Sequence, residues 1–185
     1  MEKVLTSNGL TLRRIAPDDT LRFQQAVRSS AKEIGRWMSW CHDDYSLEEA
    51  QAWQLLCERA WTAESSYPLL ITDSASGDIL GVVDINQISR DHHIGNLGYW
   101  MLSSQTRRGV ATAAARMMAH FGLTELGLAR LEIVTMIDNT ASRRVAEKLG
   151  ATLECIARNR LMGWGRPHDA AVYSLTTADL QRLRP

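Results

Sequence analysis

Apolar positions alternate with polar ones over Leu10, Leu12 and Ile15, with Thr11 and Arg13 between them, which predicts a half-buried strand just after the turn dipeptide Asn8-Gly9. Pro17-Asp18-Asp19 opens a helix expected to reach about Ser30, and the short aromatic segment Glu33 to Trp40 reads as a bent helical connection. Ser46 and Glu49 form a capping-box pair, so a long helix follows, with Ala50, Trp53, Leu56, Cys57 and Ala60 at core spacing. After Pro68, the runs Leu69–Thr72 and Ile79–Ile85 flank a Ser/Gly/Asp turn and predict a hairpin, with Gly81 a candidate bulge.

From Ile94 onward the pattern changes to strand (to Leu102), loop (Ser103 to Gly109), helix (Val110 to Leu126) and strand (Arg130 to Ile137). This is a βαβ unit, whose two strands run parallel with a right-handed crossover. A helix from about Ala141 to Leu149 stops at Gly150, suited to a left-handed cap, and strands near Thr152–Ala157 and Ala170–Leu175 flank the turn Gly163–Pro167. The expected fold is α+β: a mostly antiparallel, seven-stranded mixed sheet with one central parallel pair and about four flanking helices. Nothing divides residues 1–185 into more than one domain.

Charge narrows the classes of partner. Lys plus Arg equals Asp plus Glu, 21 each, so no basic footprint points to nucleic acid and a charged ligand must be caught locally. The stretch from Met1 to Gly9 has no apolar run of secretory length and no later span is long enough for a membrane, so a soluble, cytoplasmic protein is expected. Cys41, Cys57 and Cys155 are odd in number and lack a CxxC spacing, which argues against a disulfide framework or a zinc site.

The chemistry sits in Gln105-Thr106-Arg107-Arg108-Gly109-Val110-Ala111-Thr112, between a strand end and a helix start. A helix N-terminus offers unpaired N–H groups and the positive end of its dipole, Gly109 permits close approach, and Arg107 and Arg108 add charge suited to a pyrophosphate. The Gly-rich dinucleotide fingerprint and the Gly-Lys-Ser/Thr of triphosphate sites are both missing from it.

Thr106 to Ala111 resembles the coenzyme A loop of the GNAT acetyltransferases, Q/R-x-x-G-x-G/A. Asp138-Asn139-Thr140-Ala141-Ser142, leading through Val145 to Gly150, is similar to the second GNAT signature. Gly98-Tyr99-Trp100-Met101, the Trp37–Trp40 cluster, Leu153-Glu154, Arg158 and Asp169–Leu175 look like the branch that acetylates ribosomal-protein amino termini. Departures are Thr106 for Gln or Arg, Arg107 for a second Gly, and Asn96 where the branch often has Glu.

The resemblance implies acetyl-CoA as co-substrate and direct attack by an amine, without a metal or an acyl-enzyme. Met101, Leu102, Arg107, Arg108, Gly109, Val110, Ala111, Thr112, Asn139 and Ser142 would hold the coenzyme, the N–H groups near Met101 and Leu102 the oxyanion, and Asn139 the pantetheine arm. Asn139 and Ser142 are the catalytic candidates, Ser142 either as proton donor to the thiolate or as a helix-start serine with a local bond; Tyr173 is a second donor. Trp37, Trp40 and Tyr99 form an aromatic wall or cap the core, Asp84 and Asn96 face the acceptor, and Asp84, His93 or water is the base. Trp164 contacts substrate or a second subunit, which leaves a homodimer open. The acceptor is a protein amino terminus or a small amine such as a polyamine or aminoglycoside; a CoA-binding module without turnover is the remaining alternative.

Overall fold

The computed structural model describes residues 4–182; residues 1–3 and 183–185, the start of the amino-terminal stretch and both ends of the expected domain, lie outside that description, as do the side chains of residues 181 and 182. Eight strands form one sheet: β1 (Val4–Ser7), β2 (Leu10–Arg13), β3 (Leu69–Asp73), β4 (Ile79–Ser89), β5 (Ile94–Met101), β6 (Arg130–Met136), β7 (Thr152–Gly163) and β8 (Arg166–Leu175), in the order β1-β2-β3-β4-β5-β6-β8-β7. The strand beyond the seven expected is β1. Asn8 and Gly9, at φ 51° and 75°, are the centre of a β1–β2 hairpin rather than the start of one strand, as two positive-φ residues in a tight turn dictate.

The helices are α1 (Thr20–Ser29), α2 (Ala31–Ile34), α3 (Leu47–Thr62), α4 (Val110–His120), α5 (Thr140–Lys148) and α6 (Thr177–Arg182). The helix expected from Pro17 to Ser30 begins as a 3-10 turn, Pro17–Asp19, and breaks at Ser30. The helix expected to reach Leu126 stays α-helical only to His120 and continues as a π turn over Phe121–Glu125. There Gly122 packs so closely on Ile85 that an added Cβ would lie 2.5 Å from its Cδ1. The Ser46–Glu49 capping box is present with both reciprocal bonds. The β3–β4 register slips between Ile71 and Thr72, so the bulged residue is Leu80, beside Gly81.

Two apolar layers cover the two sheet faces. One gathers Leu97, Leu131, Ile133 and Tyr173 with Ala114, Met118, Ala146 and Leu149 of α4 and α5. The other joins Leu70 and Val82 to Phe23, Val27 and Cys57 of α1 and α3. The feature that positions the site lies at the middle of the sheet. β5 and β6 pair in parallel only at Ile94↔Arg130, Gly95↔Leu131 and Asn96↔Glu132, and then part, so Leu97–Met101 have no partner on that side. The expected parallel pair and its divergence are both present.

Candidate active site

At the open end of β5, the Leu102 N–H donates to Leu80 O of β4 at 2.9 Å. Successive N–H groups of a strand turn to opposite sides, so the Met101 N–H turns into the gap facing β6. This corrects one expectation: the Leu102 amide is engaged within the sheet and cannot hold an oxyanion, whereas the Met101 amide faces the gap. The chain then makes a 3-10 turn, Ser103–Gln105, tied to the α1–α2 joint: the Ser103 N–H donates to Ser30 Oγ and the Ser103 hydroxyl to Glu33.

Gly109 caps α4 in the left-handed region at φ 80°, with open space where a Cβ would stand, and no side chain caps the helix. The first helical bond runs from the Ala113 N–H to Gly109 O, so the N–H groups of Val110, Ala111 and Thr112 project from the helix start. Arg107, at φ 63°, and Arg108 are exposed on the same loop, and the Arg108 guanidinium donates to Gln105 Oε1 at 2.7 Å. This is a nest of backbone donors and cations suited to a diphosphate.

Across the gap stands α5. Asn139 is its N-cap, and its side-chain oxygen accepts the Ser142 N–H at 3.1 Å. Ser142 is therefore not the capping residue: its hydroxyl donates to the Tyr99 oxygen at 3.3 Å, and the Tyr99 hydroxyl donates to Ser142 O at 2.9 Å. Burial pushes the Tyr99 phenol up to about 12, against the pull of its bond with Ser142, so it stays protonated at neutral pH. Tyr173, the other donor considered, is buried beneath α5 and donates to Glu147 while accepting from Arg143. His93 lies in the exposed turn at the far end of β5, roughly 26 Å from Met101 at about 3.3 Å per residue, and cannot serve as base.

On the opposite sheet face a pocket of about 380 Å³ opens between α1, α3, β4 and β5. Its floor carries Asp84, opposite Gly98 in the β4–β5 register. The Asp84 carboxylate accepts the Ser66 hydroxyl, the Tyr67 N–H and the Asn86 side-chain amide, whose oxygen in turn accepts from Asn96. Burial raises the Asp84 pKa, and the bonds from Asn86, Ser66 and Tyr67 offset part of that rise. Asn96 thus reaches the pocket through Asn86.

The expected aromatic wall is rearranged. Trp40 lines the pocket, 5.9 Å between ring centroids from Trp100. Tyr99 borders it but directs its hydroxyl to Ser142. Trp37 lies instead in an open groove with Arg36, Met136, Asp138, Trp164, Arg166 and His168. Sequence reasoning missed Trp100, Asn86 and Ser66, and took Trp53 and Leu56 as core. The spacing Asp84-x-Asn86 in an apolar strand was the available signal, because it puts both polar groups on one sheet face. Cys57 lines the pocket as an unreactive thiol, its pKa pushed up to about 12 by burial and then by Asp84.

The model of the GNAT acetyltransferase domain matches residues 9–152. The chain belongs to the GNAT acetyltransferase family. It is 26% identical to the Bacillus subtilis (strain 168) protein named "Putative ribosomal N-acetyltransferase YdaF", over 90% of either chain. A solved Vibrio cholerae structure described as a "putative ribosomal-protein-serine acetyltransferase" superposes with TM-score 0.83 at 27% identity, covering 94% of this chain and 97% of that one. The ribosomal alpha-N-protein acetyltransferase RimL, solved in complex with coenzyme A, shares the fold with TM-score 0.86 at 22% identity, over 96% and 99% of the two chains. This GNAT chain is therefore an acetyltransferase. Among the described residues no group of three or more His, Cys, Asp or Glu could hold a metal ion, and no helix is long and apolar enough to cross a membrane.

Proposed function

We propose that this GNAT enzyme transfers acetyl from acetyl-CoA to the α-amine of a peptide or protein amino terminus. The residues fit the coenzyme: Gly109, Val110, Ala111 and Thr112 with Arg107 and Arg108 would hold its pyrophosphate, and the gap between β5 and β6, with Asn139 beyond it, would take the pantetheine arm. The thioester is supplied by the co-substrate, and the chain's own groups position and stabilise.

In the reaction the amine, lying near Gly98 and Asp84, attacks the thioester carbonyl directly. The oxyanion that forms accepts from the Met101 N–H. The amine's proton passes toward Asp84 or to solvent. The leaving thiolate, with a pKa of roughly 8.5, takes a proton from the hydroxyl pair Tyr99–Ser142, which solvent then restores.

The observation that carries the choice of acceptor is the charge of the pocket. Asp84 is the one carboxylate among its lining residues, and most of the rest are apolar or aromatic. A polyamine or an amino-sugar antibiotic carries several cations, and desolvating them against such walls without matching carboxylates is costly. A single α-amine, with a pKa of roughly 7.7–8, is partly neutral at pH 7 and asks for little base, unlike a lysine near 10.4. The names of the relatives agree with this reading, and the groove around Trp37 and Trp164 offers room for further residues of a chain. Thiol release from acetyl-CoA, measured with free-terminus peptides, terminally blocked lysine peptides, spermidine and an aminoglycoside, tests it. Free-terminus peptides should react fastest; a tenfold or greater advantage for a polyamine or amino sugar refutes the amino-terminal acceptor.

A further inference from the structure

The pocket above Asp84 is larger than an amine needs. Its walls are the side chains of Phe23, Met38, Trp40, Trp53, Leu56 and Trp100, and its volume is about 380 Å³. An apolar cavity of roughly 150 Å³ already admits benzene, so this one has room for a whole aromatic or branched side chain beside the carbon that bears the amine.

Its aromatic walls pack on one another. Phe23 and Trp53 stack at 4.3 Å with an interplanar angle of 7°, Phe23 also meets Trp100 at 5.9 Å, and Tyr45, another lining residue, meets Trp40 edge-on at 6.0 Å. Two residues at the pocket, Trp40 and Leu56, are 42% and 59% exposed, so apolar surface stands open at its mouth. The floor holds the complementary feature. Asp84 accepts three donors, one of them the Ser66 hydroxyl lying near both of its oxygens, and its single charge can meet one amine in a setting where a second cation would find no partner.

Building on the amino-terminal reading above, we propose that the residue bearing the amine has a large apolar side chain, such as Phe, Leu or Met, seated in this pocket while its amine meets Asp84. Ser and Ala, which leave most of the pocket unfilled, are then poor first residues. The proposal departs from the serine in the name of the Vibrio cholerae neighbour, and it rests on the walls of this chain's pocket.

The test is kcat/KM by thiol release for one peptide sequence beginning with Phe, Leu, Met, Ala or Ser, together with 2-phenylethylamine against ethylamine. Expected is an advantage of tenfold or more for the large apolar first residue, and for phenylethylamine over ethylamine. Ala60→Phe, which narrows the pocket from α3, should pull both ratios toward unity, with KM carrying the change; Trp40→Ala, which removes one wall, should lower them as well, with an unchanged denaturation midpoint as the check that the variant is folded. Absence of the preference in either series overturns the proposal. If a blocked lysine peptide or spermidine outpaces every free-terminus peptide while phenylethylamine still beats ethylamine, the amino-terminal acceptor is wrong and the apolar pocket stands.

Discussion

The hydroxyls of Tyr99 and Ser142 meet across the gap where β5 and β6 part, 43 residues apart in sequence and 3.3 Å apart in space. Because Asn139 provides the helix cap, the Ser142 hydroxyl is free of local duty and points its proton at the tyrosine. With its pKa pushed up to about 12, Tyr99 holds a proton throughout the working range. Tyr99→Phe should therefore lower kcat by about a hundredfold, the low end for general acid catalysis, since the thiolate is a good leaving group. Ser142→Ala should lower it less, and neither should move the coenzyme Kd by more than about threefold. Pre-steady-state thiol release separates the terms; unchanged kcat in both variants removes the pair from proton transfer.

Asn139→Ala tests the other half of that arrangement. Loss of the cap should cost about 1 kcal/mol of stability, read as a lowered denaturation midpoint, whereas Ser142→Ala should cost a few tenths. A larger loss from Ser142→Ala would return the serine to a structural role.

Gly109→Glu should abolish acetyl-CoA binding in isothermal titration, because it puts a negative charge beside the open N–H groups of Val110 to Thr112. No neighbour stands within 4 Å of a Cβ there, but φ 80° is left-handed, so about 1 kcal/mol of stability should be lost while the fold survives. Normal affinity in the folded variant would remove this loop from the coenzyme site.

Arg13 and Asp19 form a bidentate pair at 2.6 and 2.7 Å, and Asp19 also accepts the Ala16 N–H. Burial alone would raise the Asp19 pKa, but the bonds from Arg13 and Ala16, with the charges of Arg13 and Arg22, outweigh it and hold the carboxyl below its ordinary value. The folded state then binds fewer protons than the unfolded one near pH 4. The stability contributed is present above the unfolded pKa, about 3.9, and is lost as pH falls through the folded value. Asp19→Ala should destabilise by about 2 kcal/mol at pH 7, between the values for exposed and buried pairs, and by less at pH 3. An equal loss at both pH values would show that the charge plays no part.

The order of the elements was legible because each depends on local chemistry. The capping box at Ser46, the stop at Gly150 and the change from period 2 to helical spacing after Leu102 all act within a few residues. The loop-to-helix turn at Gly109 was legible for the same reason. The pocket above Asp84 was not, since Phe23, Trp53 and Trp100 come from three elements that meet only after the sheet has formed, and a tryptophan at helical spacing looks alike in a core and in a pocket wall. Strand β1 was missed because four half-polar residues carry too little period to outweigh the turn reading of Asn8-Gly9. Leu102 was misjudged because which way an amide turns depends on ladder register, fixed here by Leu80 across the bulge.

The pH dependence of kcat/KM follows from two ionisations that act in the same direction on the acceptor side. The attacking amine must be neutral, and Asp84 must be ionised to accept a proton or hold the amine; burial raises its pKa, and the bonds from Asn86, Ser66 and Tyr67 offset part of that rise. For a free-terminus peptide the logarithm of kcat/KM should level off above roughly pH 8 and fall with unit slope as pH drops below the amine's pKa. Below the raised pKa of Asp84 the slope should steepen to two, because protonation now removes the carboxylate as well. A terminally blocked lysine peptide, with an amine near 10.4, should lie below the free-terminus curve by roughly a hundredfold or more at pH 7. Asp84→Asn should lower the whole curve and leave unit slope throughout. A wild-type profile with unit slope down to the acid limit of stability would mean that Asp84 neither accepts the proton nor holds the amine, and the amine's own ionisation would be all that the pH profile reports.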